Sequence, residues 1–161
     1  MIEAKTTIFT QEDSENNKHP KFILEIEENL LNGIFQLPSK LEYTFAPFTV
    51  YRKVKINKTK LSLDATDFYC QMEMLGHNIA IPRPVQTENF EEYGCSFFTE
   101  LQALYDVFSK SSRFRKRNLY VAVGILCSDF GAVYRCDAPH IMLFKYEGVT
   151  LASFFKLYME D

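Results

Sequence analysis

The densest run of chemically able side chains is Cys136-Asp137 followed by His140, with Asp129 a little upstream. These are the types a cysteine nucleophile needs: the thiolate attacks, the imidazole takes its proton and a carboxylate orients the ring. Arg135 beside Cys136 would lower the thiol's pKa wherever that thiol meets solvent. With Cys127 added, Cys127…Cys136…His140 is also the nearest approach to a metal site. Zinc ligands, however, come as closely spaced Cys pairs with a fourth donor. No such pair exists, and only Cys70, Cys95, His19 or His77 stand elsewhere to complete a set. The apolar flanks Phe68-Tyr69-Cys70 and Gly124-Ile125-Leu126-Cys127 instead predict reduced, buried thiols that act as small hydrophobes. No metal and no cofactor is expected.

Paired carboxylates are the other route to acid–base chemistry. The candidates are Asp64 with Asp67, and Glu73 with Glu100. Glu73 lies between Met72 and Met74, and in an alternating strand it would face water. A Gly-x-Ser-x-Gly elbow is absent, and the six Gly are too scattered for a phosphate-cradling loop. The His-x-Glu…Pro-Cys-x-x-Cys deaminase signature is missing too. An enzyme is not the expectation.

Charge carries more information than these motifs. The formal net charge of −3 conceals blocks. Residues 1–32 hold three bases and seven acids, 33–60 six bases and one acid, and 61–110 two bases and eight acids. Residues 111–118 hold four bases and no acid, and 119–161 three bases and five acids. The surface is therefore expected to be bipolar. Arg113, Arg115, Lys116 and Arg117 directly follow an expected helix, whose negative end cations complement. With Phe114 interleaved, the same cluster suits phosphate contact and base stacking. A pI near 5.7 argues against a nucleic-acid protein, so complementary charge toward a protein partner is the preferred reading. Glu88, Glu91, Glu92 and Tyr93, in a Pro-flanked loop, are the expected partner-binding group.

The elements that must position these groups follow from pattern. At 161 residues, with 15 Phe, 9 Tyr and 47% hydrophobic residues, one globular domain spanning 1–161 is expected. No apolar run reaches the length of a membrane span. The polar start MIEAKTTIFTQEDSENN does not resemble a secretory signal, so a cytoplasmic location is expected.

Ile2 to Thr10 reads as a strand. Pro20 to Gly33 reads as a helix with Phe22, Ile23, Ile26, Leu30 and Leu31 on one face and Gly33 as its stop, although an Asn32-Gly33 hairpin also fits. Strands are predicted over Leu41–Ile56, from Leu61 to Leu63, and over Phe68–Leu75, with Ile79–Val85 irregular. Ser96–Lys110 has helical spacing, Leu119–Cys127 reads as a central strand, and Ala132–Arg135 and His140–Tyr146 as further strands. Leu151–Tyr158, with Thr150 as its cap, completes the set as a helix. This mixed order predicts an α+β single layered domain, a mostly antiparallel sheet packed by two or three helices. Phe97, Phe98, Phe108, Phe154 and Phe155 are expected to fill a core rather than line a cavity.

The function these features predict is a small cytoplasmic interaction or inhibitor protein. Its most concrete form is a bacterial immunity protein that occludes the basic face of a nuclease-type toxin. The alternative is an RNA- or phosphate-binding module using the basic blocks 52–60 and 113–117. A Cys-dependent enzyme comes third.

Overall fold

A computed structural model describes residues 19–55, 62–81, 83–108 and 120–158. In chain order the elements are α1 (Leu24–Leu31), β1 (Phe48–Val54), α2 (Gln71–Gly76), β2 (Cys95–Phe98), α3 (Leu101–Phe108), β3 (Tyr120–Leu126), β4 (Gly131–Asp137), β5 (His140–Lys145) and β6 (Phe155–Leu157). Short 3-10 turns lie at Ala65–Phe68, Phe90–Tyr93 and Leu151–Phe154. The strands form one six-stranded sheet in the order β4-β5-β2-β1-β3-β6, antiparallel at every pairing. The chain is an α+β layered domain, as its mixed pattern predicts. Among the described residues no helix is long and apolar enough to cross a membrane.

β5 shows why the sheet holds. Its residues alternate between faces: Ile141 and Leu143 pack with Val50, Phe97 and Leu126, whereas Met142 and Phe144 pack with Phe22, Ile26, Phe35 and Tyr93. Covered on both sides, the strand reads as one continuous apolar run. α3 packs Leu104 against Phe98 and Val121, forming a third cluster with Tyr51 and Phe108 at its margin. Phe97 and Phe155 are core residues, while Phe154 is largely exposed.

The helix reading of Pro20–Gly33 holds as α1. Its end is a complete Schellman motif: Ile34 N–H bonds the Asn29 carbonyl, Gly33 N–H bonds the Leu30 carbonyl, and Gly33 takes φ +70°. The expected apolar face needs correction at three positions, of which Ile23 is the cap residue before the helix. Phe22 precedes the helix in a bridge to Tyr146, and Leu31 is 86% exposed.

Other boundaries moved for physical reasons. Phe68–Leu75 is not a strand: a 3-10 turn leads into α2, because Glu73 accepts the Cys70 backbone N–H at the helix start. Ser96–Lys110 splits, since Cys95–Phe98 pairs with β5 and the helix begins only at Leu101. Leu151–Tyr158 is a 3-10 turn followed by β6, and Thr150 forms no side-chain cap. There, pairing with β3 wins, as the Phe155 ring lies so close over Gly124 that a Cβ would sit 2.7 Å from it. β3 exists but is second from the sheet edge, and β2 and β1 hold the centre. Leu41–Ile56 narrows to β1, with Glu42 in an isolated bridge to Val133, and Ser62 and Leu63 belong to no strand. The β4–β5 hairpin turns through Ala138-Pro139, where the sequence places it. The expected strand Ile2–Thr10 lies outside the described residues.

Candidate functional site

The expected partner-binding group divides. Glu88 and Glu91 are exposed, whereas Glu92 is 3% and Tyr93 1% exposed. Glu92 forms a two-pronged ion pair with Arg83, both contacts at 2.8 Å, and also accepts the Gln86 backbone N–H at 3.1 Å. Tyr93 stacks on Phe35 with ring centroids 3.6 Å apart. Its hydroxyl donates to the Thr87 carbonyl at 2.6 Å and accepts from Asn29 Nδ2 at 3.2 Å. This segment is therefore pinned to the body by its inner residues.

That hydroxyl has a consequence for charge. Asn29 belongs to α1, and Thr87 precedes Glu88, so the acidic loop is tied beside the helix. α1 carries Glu25, Glu27 and Glu28 and no base. Glu27 is turned inward to accept the Phe22 N–H at 2.8 Å, while Glu28 is exposed. Leu24, Glu28 and Leu31 follow one another along the outer side of the helix, and both leucines are exposed. Ile34, returned by the Schellman turn, and Leu75 of α2 are exposed as well. Glu25 lies against Gly76, so α2 packs beside α1. Leu24 and Leu31, with Glu28 between them, make a stripe of exposed apolar side chains and a carboxylate along α1. Exposed apolar surface rimmed by polar groups is the common form of a protein-docking surface.

The pairing of Arg83 with Glu92 sets an acid response. The guanidinium's hydrogen bonds hold the Glu92 carboxyl below its ordinary value, and burial opposes them only in part. A carboxylate lowered in the folded state contributes stability above its unfolded pKa, and that contribution is lost as pH falls through the folded value. Urea midpoints are therefore expected to drop as pH falls below about 4.3. Glu92→Gln should lower stability at neutral pH and flatten that slope. A variant with the wild-type slope would assign the acid response to other groups.

A second ionic cluster is internal. Lys145 Nζ meets Glu73 Oε1 at 2.7 Å and donates to the Phe68 carbonyl at 2.8 Å, and both side chains are buried. Glu73 Oε1 also accepts the Cys70 N–H, and Cys95 Sγ donates to the same Phe68 carbonyl. The expectation that Glu73 faces water is overturned: a lysine from β5 draws it inward. Burial, then the nearby Glu73 charge, pushes the Cys70 thiol pKa well up, opposite to what a nucleophile needs.

The remaining constellations resolve similarly. Half-burial and the Asp137 charge raise the Cys136 pKa, and its thiol points to the Tyr134 carbonyl at 3.8 Å. His140 is held below its ordinary value by half-burial, which the Asp137 charge only partly counters. Its ring partner is the Ser96 hydroxyl. Asp64 and Asp67 cap the 3-10 turn between them. The four cysteines are free, and among the described residues no three His, Cys, Asp or Glu side chains are placed to hold a metal ion. Arg113, Arg115, Lys116 and Arg117 lie outside the described residues.

No family model, no curated protein and no solved structure matches the chain.

Proposed function

We propose that this protein binds another protein, docking the stripe of α1 and its flanking carboxylates on a basic surface. The observation that supports the reading is the Asn29–Tyr93–Thr87 contact, which ties the backbone just before Glu88 to α1, the helix that carries Glu28 and the exposed leucines. Complementary charge accelerates encounter and sets register, and the leucines supply apolar area that the partner covers. Its most concrete form is an inhibitor of the immunity-protein type, which covers the substrate-binding face of a basic nuclease toxin.

The test compares the wild-type chain with Glu28→Lys/Glu88→Lys/Glu91→Lys. The captured partner from the native host is purified, and association kinetics are measured at low and high salt. Charge reversal is expected to slow association about tenfold at low salt, with the difference shrinking as salt rises. A partner lacking a basic face, or unchanged kinetics, would remove the reading.

A further inference from the structure

β1 and β2 are neighbours at the centre of the sheet, yet they pair only at Tyr51↔Phe98. Beyond that pair the strands part. The Arg52 guanidinium spans the gap, donating from Nε, Nη1 and Nη2 to the backbone carbonyls of Asp67, Ser96 and Tyr69, at 2.8, 2.8 and 3.2 Å. These bonds use three of its five N–H groups and fix the plane of the cation. The opening beside it is a cleft of about 510 Å³.

Four kinds of group line this cleft. Lys53 adds a second cation, its Nζ 5.4 Å from the centre of the Phe108 ring. Ser96 and His140 share a hydrogen bond across β2 and β5 and bring a hydroxyl and an imidazole to the same opening. Phe98 and Phe108 form an apolar wall, ring edge to ring face, with centroids 6.3 Å apart. Gln71 contributes the most specific feature: its Oε1 is buried and has no hydrogen-bond partner among the described residues. A buried acceptor left unmatched costs free energy that a ligand N–H or O–H would return.

We propose that this cleft binds a small phosphomonoester whose body is a flat ring bearing a hydrogen-bond donor, the class of a nucleoside monophosphate. The phosphate is met by the remaining Arg52 N–H groups, by Lys53 and by the Ser96–His140 pair. Such a group of donors outnumbers what the two oxygens of a carboxylate accept and suits the three of a phosphate. The ring lies on Phe98 and Phe108, and its donor reaches Gln71 Oε1. The volume falls in the range of about 300–1,000 Å³ that small-ligand pockets occupy. This site is independent of the docking face on α1.

Calorimetric titration of the full chain with adenosine monophosphate, adenosine and inorganic phosphate tests the assignment. The monophosphate is expected to bind with a Kd below about 1 mM, and each fragment about tenfold more weakly. Lys53→Glu and Gln71→Leu should each weaken the monophosphate about tenfold in a chain that still unfolds in one cooperative thermal transition. In the unsubstituted protein, amide shifts on titration should centre on Ser96, Phe98 and His140, a readout that stands even where a variant does not fold. Absence of binding by the folded chain, or equal affinity for phosphate alone, overturns the proposal. So does a single-stranded oligoribonucleotide that binds far more tightly than the mononucleotide, which would make this a nucleic-acid surface.

Discussion

Replacing Lys145 by methionine is expected to destabilise the protein by about 3–5 kcal/mol, the usual cost of removing one partner from a buried ion pair. Lys145 is 6% exposed and Glu73 7%, so neither charge has water to fall back on. Methionine matches the length of the aliphatic stem but leaves the Glu73 carboxylate without its cation and the Phe68 carbonyl with only the Cys95 thiol. Burial alone would pull the Lys145 pKa down. The pairing with Glu73 opposes this and the net shift is upward, so the ammonium stays charged and its loss is felt in full.

A double variant separates charge from packing. Glu73→Gln keeps an oxygen for the Cys70 N–H that starts α2 while removing the stranded charge. Combined with Lys145→Met, it should recover about 2 kcal/mol relative to Lys145→Met alone, within the range that coupled neighbours show. Urea denaturation followed by circular dichroism gives both numbers. A single variant within about 1 kcal/mol of wild type would mean that water reaches the carboxylate in place of the ammonium.

Residues near each other in sequence made part of this fold readable. Gly33 ends α1 because only a local bond pattern and one positive φ are required. The β4–β5 hairpin is equally local, with its turn at Ala138-Pro139. Short segments whose fate depends on distant partners were not readable. Phe68–Leu75 alternates well enough for a strand, yet helix and strand periods differ little over so few residues. What settles it is Lys145, whose ammonium meets the Phe68 carbonyl 77 residues away and pairs Glu73. β2 hides inside a helical pattern because Phe97 and Phe98 suit either period, and β5 decides.

The candidate sites divide in the same way. The acidic blocks are plain in the sequence, but the tie between the two segments that carry them rests on Asn29 and Tyr93, 64 residues apart. Neither residue type carries a signal for that contact. Arg52 and Lys53 are visible as part of a basic block. The parting of β1 from β2 that makes them a cleft is a property of sheet pairing alone.

Tyr93 is where fold and proposed function meet, and its variants are expected to tell them apart. Tyr93→Ala should cost about 3–5 kcal/mol, because it empties a core position stacked on Phe35. Tyr93→Phe keeps the ring and removes only the hydroxyl. Asn29 Nδ2 and the Thr87 carbonyl then lose their common partner, for about 1 kcal/mol. The smaller change is the informative one. At 1% exposure Tyr93 touches no partner, so any effect of Tyr93→Phe on binding acts through the position of the Glu88 loop relative to α1. Affinity is then expected to fall mainly through faster dissociation, with the salt dependence of association kept, because every surface carboxylate is still present. Charge reversal at Glu28, Glu88 and Glu91 should give the converse, slower association with a flattened salt dependence. Should Tyr93→Phe leave dissociation untouched while the fold loses its expected 1 kcal/mol or so, the tether serves stability alone and the docking face reduces to α1.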